Sequence, residues 1–119
     1  MIMIKGVGVD IIEINRIKDA VEEHGDAFLN KIYTQKELSY CRSRKKLRFP
    51  ELAVRFAAKE AYSKAIGTGM RGIRWREIEV SNNDHGKPQI SLKGKGCPNV
   101  HLSLSHSANY AVAQVVIEG

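Results

Sequence analysis

The sequence lacks the features that mark exported, membrane-bound or metal-cluster proteins. Only two cysteines occur, Cys41 and Cys97, and they show no CxxC or other metal-ligand spacing. We therefore expect reduced structural thiols in a cytoplasmic protein. The apolar N-terminal stretch is interrupted by Lys5 and Asp10, which makes it too short and too charged for a signal peptide or a membrane-spanning helix.

Internal repeats, low-complexity segments and linkers are also absent, so the 119 residues predict a single domain over 1–119. An apolar content of 43% is sufficient for one compact core. No glycine-rich loop has the spacing of a P-loop or a dinucleotide-binding fold, and the GVG at 6–8 is a weak motif. Acidic residues are outnumbered by basic ones, giving a net charge of +6 that favours anionic partners.

The first half of the chain predicts a strand followed by helices. Residues 2–10 are β-branched and glycine-rich, which is typical of a buried first strand. Isoleucines and valine at helical spacing then predict a helix ending near Gly25. Asp10 and Glu13 have the spacing of a capping box at the start of that helix.

Further helix signals follow. A short helix is predicted over 27–33, and Thr34 and Glu37 form a second capping-box pattern that opens a helix in 34–44. Pro50 suits the first turn of the next helix, and Gly67 suits its C-terminal cap. The second half predicts a turn at 83–88 and strands at 75–82, 88–94, 100–106 and 110–118. Helices followed by an antiparallel run predict an α+β fold.

The helix predicted from Pro50 to Gly67 carries charges on both sides of an apolar stripe, which consists of Val54, Ala57, Ala58, Ala61 and Ala65. Glu60 and Lys64 lie on one flank, and Arg55 and Lys59 lie on the other. Glu60 and Lys64 have the spacing of an ordinary surface ion pair, which contributes only about 0.2–0.5 kcal/mol. Alternatively, the alanines allow another element to approach closely, which would place the charges beside an interface.

Two further residues, Asp10 and His106, suggest that the charged residues of this helix take part in chemistry. Regular alternation places Asp10 on the same strand face as two glycines, which would leave space beside its carboxylate. Asp10 and Glu60 supply oxygen ligands that suit Mg²⁺. A cluster of His106, Lys64 and Arg55 would suit phosphate oxygens, although a single histidine is more often a packing residue. Together these residue types favour phosphoryl-group transfer from a nucleotide-like donor.

Four segments carry a resemblance to a known family. They are GVGVDI at 6–11, RFAAKEAYSKAIGTG at 55–69, HGKP at 85–88 and LSLSHS at 102–107. In this order they resemble the holo-[acyl carrier protein] synthases, small bacterial 4′-phosphopantetheinyl transferases. The resemblance implies transfer of the phosphopantetheine arm of coenzyme A to a serine of apo-acyl carrier protein in fatty acid biosynthesis, with adenosine 3′,5′-bisphosphate as the other product. It also implies a homotrimer with active sites at the subunit interfaces.

The resemblance also implies roles for individual residues. Asp10 and Glu60 would bind the catalytic Mg²⁺, and Glu60 is our candidate acceptor for the serine proton, directly or through a metal-bound water. Lys64 would complete the catalytic set and approach coenzyme A phosphates. The expected coenzyme A contacts are Lys64, His106, Arg55, Gly86, Lys87 and Pro88. Loop 68–75 varies in length and composition within the family, so no role is transferred to it.

The resemblance also implies a role for the excess of basic residues, because acyl carrier proteins are strongly acidic and would bind a basic surface. Arg16 matches the family's carrier-docking arginine, with Lys18 beside it. The basic run RSRKKLR at 42–48 is either a solvated loop or a contact for carrier or coenzyme phosphates. A nucleic-acid-binding module would explain the charge, but it leaves Asp10 and Glu60 unexplained and lacks aromatic residues for base stacking. A purely structural protein leaves the four matching segments unexplained.

Overall fold

The computed structural model describes residues 3–67 and 71–119 of the chain. Its helices are α1 (Ile14–His24), α2 (Asp26–Ile32), α3 (Gln35–Cys41) and α4 (Phe49–Ala65). Its strands are β1 (Ile4–Glu13), β2 (Arg42–Ser43), β3 (Lys46–Leu47), β4 (Ile78–Asn82), β5 (Pro88–Leu92), β6 (Lys95–Gly96), β7 (Val100–His106) and β8 (Tyr110–Glu118). None of the helices in this part of the chain is long and apolar enough to cross a membrane.

The strands form antiparallel sheets around the long helix α4. The main sheet has the order β1-β8-β7, a second has the order β4-β5-β6, and β2 and β3 form a two-stranded hairpin. The C-terminal part of α4 packs with strands β4, β5, β7 and β8 in one apolar cluster. Its N-terminal part packs with α1, α2 and α3 in a second cluster. The predicted α+β fold is therefore confirmed.

Several local predictions are confirmed by the backbone. Thr34 Oγ1 accepts a hydrogen bond from the amide of Glu37, and Glu37 Oε1 accepts one from the amide of Thr34, which completes the capping box of α3. Pro50 lies in the first turn of α4. Gly67 follows this helix with a φ of 79°, a conformation that glycine adopts without strain. Cys41 and Cys97 are both free thiols.

The prediction for the first strand is wrong in two respects. The strand continues to Glu13, and on one of its faces the side chains of Val7, Val9 and Ile11 are exposed instead of buried. The capping box of Asp10 with Glu13 is also wrong, because Asp10 lies inside this strand and Glu13 makes no side-chain capping hydrogen bond. Pairing with β8 keeps the backbone extended up to the first residue of α1.

Two other boundaries differ from the sequence-based expectation. The helix predicted within 34–44 ends at Cys41, because the chain then enters the β2–β3 hairpin. The strand predicted from residue 75 begins only at Ile78, because Trp75–Glu77 forms a single 3-10 turn. Within loop 68–75, to which the family resemblance transferred no role, residues 68–70 lie outside the described residues.

Two glycines of β1 allow α4 to lie directly against this strand. An added Cβ at Gly6 would overlap the carbonyl oxygen of Ala65, and one at Gly8 would overlap that of Ala61. The space that these two glycines leave on the face of β1 is therefore filled by the helix backbone. The predicted alanine stripe of α4 is buried, as this packing requires.

A buried ion pair joins α4 to the elements on its other side. Lys59 Nζ donates to Glu37 Oε1 at 2.7 Å, to the carbonyl of Ile32 at 2.7 Å and to that of Trp75 at 3.1 Å. Glu37 Oε2 accepts from the amide of Val80 at 2.8 Å. Burial lowers the pKa of Lys59, and the charge of Glu37 opposes this shift. The sequence placed Lys59 on a flank of the apolar stripe without deciding its burial, and in the structure all three of its donors are used inside the protein.

We predict that Gly8→Ala destabilises the fold, whereas Gly96→Ala does not. The first substitution forces a methyl group into the backbone of α4, and overpacking of this kind typically costs about 1–3 kcal/mol of unfolding free energy. The second places a methyl group where no atom lies within 4 Å. Urea unfolding at one protein concentration measures both. Equal midpoints for the two variants would show that α4 does not need the glycine face of β1.

Candidate active site

A cavity of about 490 Å³ opens where β1, α1 and α4 meet. One wall is apolar and contains Phe28 and Phe56, while Asp10, Glu60 and Lys64 provide charged groups on α4 and β1 and Arg16 provides a further one on α1. The rest of the lining consists of Ile11, Ile12, Ile17 and Ala20. The three residues predicted as catalytic from the sequence therefore line one cavity, which we call the first cavity.

Lys64 reaches across to the strand instead of along its own helix. Its Nζ donates to Asp10 Oδ1 at 3.0 Å and to the carbonyl oxygen of Val9 at 3.0 Å. The surface pair with Glu60 that the spacing suggested is therefore not the arrangement of this side chain. Lys64 is exposed whereas Asp10 is largely covered, so the pair lies at the cavity mouth with the ammonium group towards solvent.

Glu60 lies beside this pair with a perturbed carboxyl group. Burial raises its pKa above the usual 4.5, the negative charge of Asp10 raises it further, and Lys64 opposes both effects. The two carboxylates therefore repel each other, and a cation between them would relieve that repulsion.

The two carboxylates fit a magnesium ion that is shared with a phosphate-bearing ligand. Among residues 3–67 and 71–119, no group of three or more histidine, cysteine or carboxylate side chains could hold a metal ion. Mg²⁺ commonly takes one or two carboxylates and completes its coordination with water and substrate phosphates. The oxygen donors of Asp10 and Glu60 match that requirement.

A second cavity, of about 220 Å³, lies between the start of α4, the β4–β5 turn and the end of β7. It brings together four of the predicted coenzyme A contacts, namely Arg55, Gly86, Pro88 and His106. The other lining residues are Tyr40, Glu51, Val54, Asn82, Leu104 and Ser105. Lys87 lies in the same turn with an exposed side chain.

Arg55, which was expected on a flank of the apolar stripe as a coenzyme A contact, is almost fully buried, with 1% of its surface exposed. Its Nη1 donates to Glu51 Oε2 at 3.0 Å, and its Nη2 donates to Asn82 Oδ1 at 3.4 Å. Its guanidinium carbon lies 4.2 Å from the ring centre of Tyr40. Sequence analysis missed Tyr40 and Asn82, because nothing in their local pattern indicates that α3 and β4 meet at Arg55.

The predicted cluster of His106, Lys64 and Arg55 is wrong within one chain. Arg55 and His106 line the second cavity and Lys64 lines the first, and the two cavities share no lining residue. Asp10 lies on β1 and His106 on β7, which are opposite edges of the main sheet with β8 between them. Neighbouring strands lie about 4.8 Å apart, which places these two edges roughly 10 Å apart. Asp10 and His106 therefore do not meet within one chain.

The basic residues predicted to meet a partner are exposed. Arg16 and Lys18 lie on α1, and Arg16 also lines the first cavity. In the run 42–48 the first five side chains are exposed on the β2–β3 hairpin.

Comparisons with known proteins show the family of this chain. A model of the 4′-phosphopantetheinyl transferase superfamily matches residues 6–115. A holo-[acyl-carrier-protein] synthase of Halothermothrix orenii is 44% identical over 98% of each chain. One from Chloroherpeton thalassium is 48% identical over 94% of this chain and 96% of its own. This chain therefore belongs to the 4′-phosphopantetheinyl transferase superfamily and, within it, to the holo-[acyl-carrier-protein] synthases.

Solved structures show the same fold. The Bacillus anthracis synthase, in complex with coenzyme A (3′,5′-ADP), is 43% identical, with a TM-score of 0.81 and 98% coverage of both chains. The Helicobacter pylori synthase, in complex with coenzyme A, is 28% identical, with a TM-score of 0.81 and coverage of 93% of this chain and 98% of that one. The family is thus one of enzymes.

We predict that Asp10→Asn lowers the pKa of Glu60 in the metal-free protein. The substitution removes the negative charge that raises this pKa and leaves the burial of Glu60 unchanged. Carbon NMR of the labelled glutamate carboxyls over pH measures the shift. Asp19→Asn, which neutralises an exposed carboxylate on α1, is the matched control. If the pKa of Glu60 is unchanged in Asp10→Asn, the two carboxylates do not interact electrostatically, and the argument that they share a cation is lost.

Proposed function

We propose that this protein transfers the 4′-phosphopantetheine arm of coenzyme A to a serine of apo-acyl carrier protein, in a Mg²⁺-dependent reaction of fatty acid biosynthesis. The observation that carries the proposal is the meeting of Asp10, Glu60 and Lys64 in one cavity. Support comes from relatives that are named holo-[acyl-carrier-protein] synthases and from homologous structures with coenzyme A bound.

The residues of the first cavity have different roles in the proposed reaction. Asp10 and Glu60 would hold Mg²⁺, which neutralises the diphosphate and polarises the phosphorus atom under attack when it is bound. The serine oxygen forms a bond to the phosphorus nearer the pantetheine arm, while the bond to the bridging diphosphate oxygen breaks. The leaving group is adenosine 3′,5′-bisphosphate, and the serine proton needs an acceptor. Glu60 is the candidate acceptor, directly or through a metal-bound water, because its carboxylate lines the same cavity.

Lys64 stabilises the charge that develops on the leaving phosphate. Its exposed ammonium group lies at the cavity mouth, where phosphate oxygens can replace Asp10 as its partner. An ammonium held beside the breaking bond favours the transition state over the ground state.

The second cavity takes the nucleotide end of coenzyme A in this proposal. Arg55 and His106 offer nitrogen donors for phosphate oxygens, and Gly86, Lys87 and Pro88 form the turn beside them. Because the first and second cavities lie apart within one chain, a single coenzyme A molecule would use the first cavity of one copy and the second cavity of a neighbour.

An exposed apolar strand face supports this shared site. Val7, Val9 and Ile11 on β1 expose 57%, 55% and 65% of their surface, next to Asp10 in the chain. Apolar faces of this kind mark protein interfaces. We propose that the face pairs with further copies in a homotrimer, which brings the two cavities together between subunits.

Docking of the acidic carrier is assigned to the basic residues at the mouth of the first cavity. Arg16 is exposed there, and Lys18 follows it on the same helix. Complementary charge increases the rate of encounter and fixes the orientation of the partner. A carrier docked on α1 would present its serine beside Asp10 and Glu60. The net charge of +6 favours an anionic partner, and the name of the relatives supports an acyl carrier protein as that partner.

We expect the wild-type protein to add a phosphopantetheine group to apo-acyl carrier protein when coenzyme A and Mg²⁺ are present. Glu60→Gln should lower kcat at least about 100-fold, because it removes a charged metal ligand and the proton acceptor together. Intact-mass spectrometry of the carrier measures the transfer. Glu118→Gln, which neutralises a carboxylate outside both cavities, should retain normal transfer. Normal transfer by Glu60→Gln would disprove the assigned site.

We also expect two inactive variants to restore activity when they share an oligomer. Glu60→Gln disables the first cavity and Arg55→Met disables the second. Random mixing in equal amounts leaves about a quarter of the shared sites with both halves intact, because each half is normal with even chance. Transfer is measured after joint refolding, and light scattering gives the oligomeric state. A monomer, or a mixture as inactive as its components, would show that the site is not shared.

A further inference from the structure

We propose that Tyr40 is a positioning residue whose ring holds Arg48 and Arg55 together as a recognition site for the 3′-phosphate of coenzyme A. This inference rests on the proposed function, because it concerns how the nucleotide end of the same substrate is selected. It adds two residues, Tyr40 and Arg48, for which the sequence motifs indicate no role. Tyr40 lies in the last turn of α3, and Arg48 immediately precedes α4.

Both guanidinium groups lie over the same tyrosine ring. The guanidinium carbon of Arg55 is 4.2 Å from the ring centre of Tyr40, and that of Arg48 is 4.9 Å from it. Arg48 Nη2 also donates to the carbonyl oxygen of Tyr40, and the amide of Arg48 donates to the carbonyl of Cys41 at 2.7 Å. The ring thus contacts two cations through its π face, which is a favourable arrangement for each of them separately.

The arrangement leaves charge and hydrogen-bonding capacity unused. The Nε atoms of Arg48 and Arg55 are buried and have no hydrogen-bond partner in the part of the chain that the structure describes. Buried donors without partners are costly and uncommon, and two guanidinium groups at one ring also repel each other. A bound anion would relieve both effects, and Glu51 offsets only Arg55.

The free edge of Arg55 has the geometry for a phosphate. Glu51 occupies its Nη1 atom, whereas Nε has no partner and Nη2 makes only the 3.4 Å contact with Asn82. Nε and Nη2 form the side of a guanidinium that binds two oxygens of one phosphate. Tyr40 and Arg55 both line the second cavity and a neighbouring cavity of about 260 Å³. The guanidinium is therefore buried and also adjacent to open space.

The chemistry of coenzyme A then selects the group that binds here. The two phosphate groups of its single diphosphate belong at the reacting centre with Asp10, Glu60 and Lys64. The remaining phosphate is the 3′-monoester at the nucleotide end, a dianion that suits two arginines. Tyr40 contributes by keeping the two guanidinium groups in place before the ligand arrives, which reduces the ordering cost of binding.

The experiment compares the binding of adenosine 3′,5′-bisphosphate and of AMP by isothermal titration calorimetry to the intact protein. The two ligands differ only by the 3′-phosphate, so the ratio of their affinities measures recognition of that group. A general distortion of the cavity would weaken the binding of both ligands and leave the ratio unchanged. We expect Tyr40→Leu to lower this ratio by about threefold to thirtyfold, which is the range expected for lost cation–π contacts. Tyr40→Phe keeps the ring and loses only the hydroxyl group, so it should retain the wild-type ratio within about twofold.

A kinetic comparison gives the second measurement. In Tyr40→Leu, kcat/KM should fall for coenzyme A and change little for dephospho-coenzyme A, with kcat at saturating coenzyme A unchanged. Arg48→Lys keeps the charge but removes the Nε donor, so it should lower the same affinity ratio. This variant also tests the inference if Tyr40→Leu fails to fold, an outcome that the 44% exposure of Tyr40 argues against.

The inference is overturned if the affinity ratio is unchanged in Tyr40→Leu and Arg48→Lys, or if Tyr40→Phe is as defective as Tyr40→Leu. It is also overturned if the wild-type protein binds the bisphosphate and AMP equally well. These outcomes leave the transfer reaction intact. Failure of the wild-type protein to modify any apo-carrier with coenzyme A and Mg²⁺ would instead remove the proposed function itself.

Discussion

The direct packing of helix α4 on strand β1 brings the chemistry of this protein together. Gly6 and Gly8 remove the side chains that would hold the helix away, so the backbone of α4 lies against the strand. Lys64 then reaches Asp10 at 3.0 Å, although 54 residues separate them in the chain. Every other group of the first cavity is placed by these two elements or by α1 and α2, which pack against α4. A methyl group at Gly8 would therefore disturb both the stability of the fold and the geometry of the site.

Consecutive residues of α4 serve opposite purposes because each helical residue turns the side chain by about 100°. Lys59 points into the protein, where Glu37 and two backbone carbonyls use its three donors. Glu60 points towards the first cavity. Removing either partner of a buried pair typically costs about 3–5 kcal/mol, because the other charge stays buried without compensation. The pair thereby fixes α3 and β4, and these elements carry Tyr40 and Asn82 to Arg55 at the second cavity.

The separation of the two cavities links catalysis to assembly in the proposed function. One chain offers carboxylates and a lysine at one edge of the main sheet, and arginine and histidine donors beyond the other edge. The exposed side chains of β1 alternate with the residues that face α4, so the same strand presents an apolar surface on one side and Asp10 on the other. An oligomer formed through that surface would bury it and complete the substrate site in the same step.

Local signals in the sequence were sufficient for most elements and for the catalytic candidates. Alternation predicted β5, β7 and β8, the Thr34 capping box and Pro50 predicted helix starts, and the family segments singled out Asp10, Glu60 and Lys64. The strand pattern of β1 was misjudged because alternation shows two faces but not which one the protein covers. The burial of Arg55 and Lys59 was not predicted, because helical spacing gives the direction of a side chain, whereas its burial depends on elements from distant parts of the chain. The sequence by itself determined the elements and the charged residues available for chemistry. Only the tertiary structure decided which charges meet, because hydrogen bonds and ion pairs act over a few ångströms and those distances are set by packing.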